Sequence, residues 1–118
     1  KKKGQADLLA RVGAAHRHGV RIAAGVDLGG YHHDPTESVR EIAALVKAGL
    51  SPMAAIQAAT SVGAELLDMT DQVGSLEAGK FADIIAVPGN PLVDLSTLER
   101  VVFVMKGGKV VKQPADYD

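Results

Sequence analysis

An α/β fold is what this sequence predicts, and three observations predict it. Residues 20–26 form a short apolar run of β-branched and small side chains with no polar alternation after Arg21, the pattern of a strand covered on both faces. Stretches with apolar residues at helical spacing lie on either side of that run. Past Leu67 the period changes from helical to extended, and Gly107-Gly108 separates two short apolar runs in the manner of a tight hairpin.

The first helix is expected over residues 5–18, where Leu8, Leu9, Val12 and Ala15 share a face and Gly19 follows as a left-handed cap. His16 and His18 would make a metal pair on a strand, where residues two apart share a face. On a helix they diverge by about 200°, which favours exposed histidines near a helix C-terminus, where positive charge is stabilised. The strand over 20–26 comes next and ends on a single carboxylate, Asp27, followed by Gly29, Gly30, His32 and His33. The glycine pair permits positive φ and close approach of backbone to a ligand, or makes only a loop.

Asp34-Pro35-Thr36-Glu37 supplies an N-cap residue, a proline at N1 and a glutamate at N3, so a second helix is expected to start there. It buries Val39, Ile42, Leu45 and Val46, leaves Arg40, Glu41 and Lys47 outside that face, and stops at Gly49. Ser51-Pro52 repeats the cap-plus-proline start for a third helix running to Leu67. Its alanines and Gly63 allow a neighbour to approach closely. Beyond it come a turn-rich stretch over 74–80, a strand over 82–87, a loop over 88–91, strands over 101–105 and 109–112, and a polar tail. The one internal boundary falls after Leu67, dividing the chain into residues 1–67 and 68–118.

With 118 residues and 47% hydrophobic content, the chain is about one domain in size. A net charge of −1 and 3% aromatic residues give neither the electrostatic footprint nor the stacking platform of a nucleic-acid binder. There are no cysteines, which excludes disulfides and thiolate catalysis and leaves nitrogen and oxygen ligands for any metal. No uncharged apolar stretch approaches the roughly 18 residues of a membrane span, and no long apolar segment follows Lys1-Lys2-Lys3 as a signal peptide requires. A cytoplasmic location is the expectation.

Asp27 is the lead candidate for a site residue. Residues at the carboxyl ends of parallel strands line the catalytic mouth of a (β/α)8 barrel, and a short aspartate there has few rotamers to fix. Read by itself, an aspartate at this spacing also suits an Asx turn. Two further readings stand beside the catalytic one. The chain could be a non-catalytic α/β module that folds by itself and serves in assembly or small-ligand binding. Alternatively, Asp27, His32, His33 and Asp34 could make a metal site of their own, although adjacent histidines on one loop converge poorly on one ion.

Three patches carry a resemblance to a known family: Gly19-Val-Arg-Ile-Ala-Ala-Gly-Val-Asp27, then Leu45-Val-Lys-Ala-Gly-Leu-Ser-Pro-Met-Ala-Ala-Ile-Gln-Ala-Ala-Thr60, then Val73-Gly-Ser-Leu-Glu-Ala-Gly-Lys-Phe-Ala-Asp83. In this order, with a Gly-Asn-Pro-Leu loop and a closing hairpin after them, they resemble the C-terminal portion of metal-dependent hydrolases of the amidohydrolase superfamily, in the imidazolonepropionase-like and Xaa-Pro dipeptidase-like branch. The family's threonine before the aspartate is Val26 here.

The resemblance implies that residues 1–67 are the end of a TIM-like (β/α)8 barrel, with 20–26 as its last strand, and that 68–118 are part of a small C-terminal β-sandwich. It implies cleavage of an amide or peptide-like C–N bond by metal-activated water, with Asp27 as metal ligand and proton shuttle. It also carries His33 over as a substrate-binding residue, near the place of a loop histidine in some members. One or two Zn2+ ions are implied, together with a small amide or dipeptide-like substrate and a homo-oligomer. A catalytic zinc needs three protein ligands and an open position, and the family's strand His-x-His and bridging lysine have no counterpart here. One strand cannot close a barrel of eight. The expectation is therefore a segment, inactive and incomplete as a fold by itself, whose partner is a preceding part of the same polypeptide that holds most of the metal site.

Overall fold

The structure, a computed structural model, describes residues 2–26, 34 and 36–115. Helices α1 (Lys2–Arg17), α2 (Glu37–Ala48), α3 (Pro52–Ala58) and α4 (Ser61–Leu66) come first. They are followed by β1 (Ile84–Ala86), a 3-10 turn (Leu95–Glu99), β2 (Phe103–Lys106) and β3 (Lys109–Lys112). No helix among the described residues is long and apolar enough to cross a membrane.

The helices pack through small residues. A Cβ placed on Gly13 of α1 would lie 1.9 Å from the Ala48 carbonyl oxygen of α2, so only glycine permits that crossing. Helix α2 ends as its sequence requires: Gly49, at φ 112°, donates its N–H to the Leu45 and Val46 carbonyls, and the Leu50 amide returns to the Leu45 carbonyl at 3.1 Å. Ser51 then caps α3 by accepting the Ala54 amide at 3.1 Å, ahead of the expected proline. The turn folds Leu50 back beside Leu45, and with Ala55 and Ala58 these form the buried cluster, flanked by Val12, Ile22, Ala24 and Ile42.

Several expectations shift. Residues 20–26 hold no strand. A strand exists by its ladder, and among the described residues no strand lies beside this run; its Ala24 amide instead donates to the Ala58 carbonyl at 2.8 Å. The third helix is two helices, broken at Ala59 and Thr60. Helix α2 begins at Glu37, with Thr36 in the cap position and making no side-chain cap bond. Asp34 holds the preceding turn instead, accepting the Thr36 amide and hydroxyl at 2.9 and 2.6 Å. The 3-10 turn was not expected; Asp94 nucleates it by accepting the Ser96 amide.

The strands form one antiparallel sheet in the order β1-β2-β3, with Ile85 opposite Val104 and a bulge between Val104 and Met105. Gly107 and Gly108, at φ 55° and 79°, supply the two left-handed residues that a type I′ hairpin demands. Asp83 clamps this turn from the side. One carboxylate oxygen accepts the Gly107 amide at 2.7 Å and the other accepts Lys106 Nζ at 2.5 Å. Lys106 first, and then the Gly107 amide, hold the Asp83 carboxyl below its ordinary value.

Burial is shallow outside the helical cluster. Among the described residues no large side chain is wholly enclosed, while Val93, Leu66 and Leu76 are 85%, 75% and 75% exposed.

Candidate functional site

Val26 is the last described residue before Asp34, and the geometry of the run that ends on it is built from backbone. Ala24 is pinned to the carbonyl of Ala58, so the run 20–26 lies against the end of α3. Ala24, Gly25 and Val26 then border a cavity of about 160 Å³ with Ser38, Glu41 and Ala59. Ala24 also borders a larger open cleft of about 600 Å³, shared with Ile56, Thr60, Leu67, Asp83 and Ile84.

Asp27 and His33, the predicted site residues, lie outside the described residues, as does His32. Asp34, where description resumes, is already engaged: Thr36 occupies one oxygen, and the other accepts Arg40 Nη1 at 2.8 Å. The Thr36 hydroxyl, followed by the Thr36 amide and the Arg40 charge, draws the Asp34 carboxyl below its usual value. This carboxylate is engaged in the turn before α2.

His16 lines a cavity of about 230 Å³ with Val20, Ile22, Leu50 and Gln57. The His18 ring donates from Nδ1 to the Ala14 carbonyl at 2.8 Å, closing the end of α1. Among the described residues no three histidine, aspartate or glutamate side chains gather as metal ligands. The described residues by themselves thus do not fit the divalent ion that the sequence resemblance implies.

Two residues that line the cavity with Val26 were not singled out by sequence reasoning. Ser38 and Glu41 stand three apart on α2 and so share a face, which borders the cavity beside Ala24, Gly25 and Val26 rather than lying wholly in solvent. Their helical spacing was the available signal. What hid it was the apolar face of the same helix, which placed Glu41 on the outside.

Residues 3–111 match the Amidohydrolase family. Ochratoxinase of Aspergillus niger is 37% identical over 110 residues, covering 85% of this chain and 21% of its own length. A 5-methylthioadenosine/S-adenosylhomocysteine deaminase of Teredinibacter turnerae is 32% identical over 110 residues, 82% of this chain and 24% of the relative. Among solved structures, a Xaa-Pro dipeptidase with bound methionine in its active site superposes with a TM-score of 0.80 at 39% identity, over 88% of this chain and 25% of that one. The chain therefore spans about a quarter or less of the length of these proteins.

Proposed function

This chain belongs to the amidohydrolase family, and we propose that it supplies the C-terminal segment of a metal-dependent hydrolase that cleaves an amide or peptide-like C–N bond. The likeness to a Xaa-Pro dipeptidase over most of the chain carries the reading. In it, residues 1–67 end a TIM-like barrel, residues 68–118 belong to a small β-sandwich, and a preceding part of the same polypeptide completes both.

Asp27 is assigned two tasks, ligand to the ion and carrier of a proton. As water adds to the substrate carbonyl carbon, the carboxylate accepts the water's proton. As the C–N bond breaks, it delivers that proton to the departing amine, so the carboxylate is regenerated at the end of the turnover. A divalent ion, when bound, lowers the pKa of water to about 7 and polarises the carbonyl. The described residues do not hold such an ion, so its remaining ligands are assigned to polypeptide outside this chain. His33 is assigned to substrate binding, and His16 and His18 are assigned no role in the reaction. The segment by itself is inactive in this reading.

The test is Asp27→Asn in the longer protein. Asparagine keeps the shape and cannot carry the proton, so kcat should fall about 10³-fold while circular dichroism is unchanged and metal content drops. Unchanged turnover would remove Asp27 from the mechanism.

A further inference from the structure

The open cleft of about 600 Å³ meets β1 along its length. Successive residues of a strand point to opposite faces, yet Asp83, just before β1, and Ile84 and Ile85 within it all line this cleft. A space that touches three consecutive residues runs along the edge of a strand and not over one face. The other edge of β1 is taken by β2, through Ile84 opposite Met105 and Ile85 opposite Val104. Among the described residues no strand pairs with the edge that meets the cleft.

What the cleft offers is backbone and hydrocarbon. Its polar side chains are already engaged: the Thr60 hydroxyl donates to the Ile56 carbonyl, Ser75 lies between Lys80 and Glu77, and the Asp83 oxygens accept Lys106 and the Gly107 amide. The facing wall carries Ile56, Gly63 and Leu67 from the helical half. Leu67, Leu76 and Ile85 all border the cleft, and each is more than half exposed. A small charged molecule finds no free polar side chain here. A helix laid into the space would cover the hydrocarbon and leave the N–H and C=O groups of the β1 edge unpaired. An extended strand meets both needs, its backbone pairing with the edge and its alternate side chains filling the apolar wall.

We propose that this cleft is the seat of an added β-strand: an uncharged, apolar, extended segment of the longer polypeptide pairs with the open edge of β1 and packs against Leu67 and Leu76. The inference rests on the reading of this chain as a segment, which spans 25% of the Xaa-Pro dipeptidase it resembles. A second copy of the chain fits poorly. Its β1 is held by its own β2 on one edge and lies against its own cleft on the other. Its β3 would bring Lys109 and Lys112 against an apolar wall, where a charge without a partner is costly.

The experiment uses the longer protein and two readouts. Ile85 and Val111 are 57% and 66% exposed in this chain. In the longer protein, Ile85→Cys should react with a maleimide about a hundredfold more slowly than Val111→Cys, because the added strand must open first. Amide exchange of the unsubstituted longer protein gives the second readout. A strand paired on one edge alone protects alternate amides, whereas Ile84, Ile85 and Ala86 should all be slow with strands on both sides. Equal labelling of the two cysteines would overturn the inference. Alternating amides beside a slow Ile85→Cys would replace the strand by some other cover, and protection that fades on dilution would assign the strand to a second molecule. The amide readout decides even where a cysteine variant does not fold. Asp27→Asn separates the two readings: an active Asp27→Asn enzyme sinks the catalytic role and leaves the strand standing, whereas a dead one with alternating β1 amides sinks only the strand.

Discussion

The helices and the sheet of this chain are held together by different means. Around α2 and α3, stability comes from burial: Leu45 and Leu50 are each 4% exposed, and Ala55 and Ala58 are fully enclosed. No residue of β1, β2 or β3 is buried, and every residue of β3 is exposed. The sheet is kept in register by its ladder, by the two glycines of its hairpin and by the Asp83 clamp. Three strands need a hydrophobic face against something to be stable on their own. Among the described residues the helical half buries a cluster of its own, and no strand residue of the sheet half is buried.

The largest effect should come from taking the chain by itself. The helical half should keep its far-ultraviolet signal while amides of β1 to β3 exchange quickly, and heating should give a broad loss rather than one transition. A sharp cooperative melt of a monomer would break the contrast and favour the independently folding module. Within the longer protein, Leu45→Ala should cost about 3 kcal/mol, read from the denaturant midpoint, because it empties the centre of the buried cluster. Gly13→Ala should cost less, about 2 kcal/mol, as the new methyl drives α1 off the Ala48 carbonyl. A neutral Gly13→Ala would mean that α1 docks elsewhere in the longer protein.

The smallest effect belongs to the clamp, and it is a pH effect. Because the folded-state value of Asp83 is lowered from 3.8, its contribution is present in full above that value and is lost as pH falls through the lowered one. Asp83→Asn should therefore lower the melting temperature slightly at neutral pH, and the gap from the parent should close as the solution is acidified below about 3.8. A gap that persists in acid would assign the effect to geometry instead of charge.

Much of this was legible from local chemistry. Gly19 and Gly49 mark helix ends because the left-handed geometry there favours glycine, and both are left-handed, at φ 83° and 112°. Ser51-Pro52 and Gly107-Gly108 announce a helix start and a hairpin for equally local reasons. The misses are tertiary. A single barrel strand was expected to lack its neighbours here, but nothing in the alternation of alanines over 53–67 says that an amide from Ala24 will claim the Ala58 carbonyl. The Asp94-Leu-Ser96 turn could have been read as an Asx start. The candidate carboxylate was legible only as a position at the end of a run, because among the described residues no three histidine, aspartate or glutamate side chains gather as metal ligands.

The two borders of the sheet are unlike. Along β3 the hairpin carries Lys109 and Lys112, charged residues of the kind that discourage another chain from pairing with an open border. Along β1, Ile84, Ile85 and Ala86 carry no charge at all. Growth of this sheet is thereby given a direction: a strand that extends it joins beside β1, and an unwanted self-association would begin at the same place.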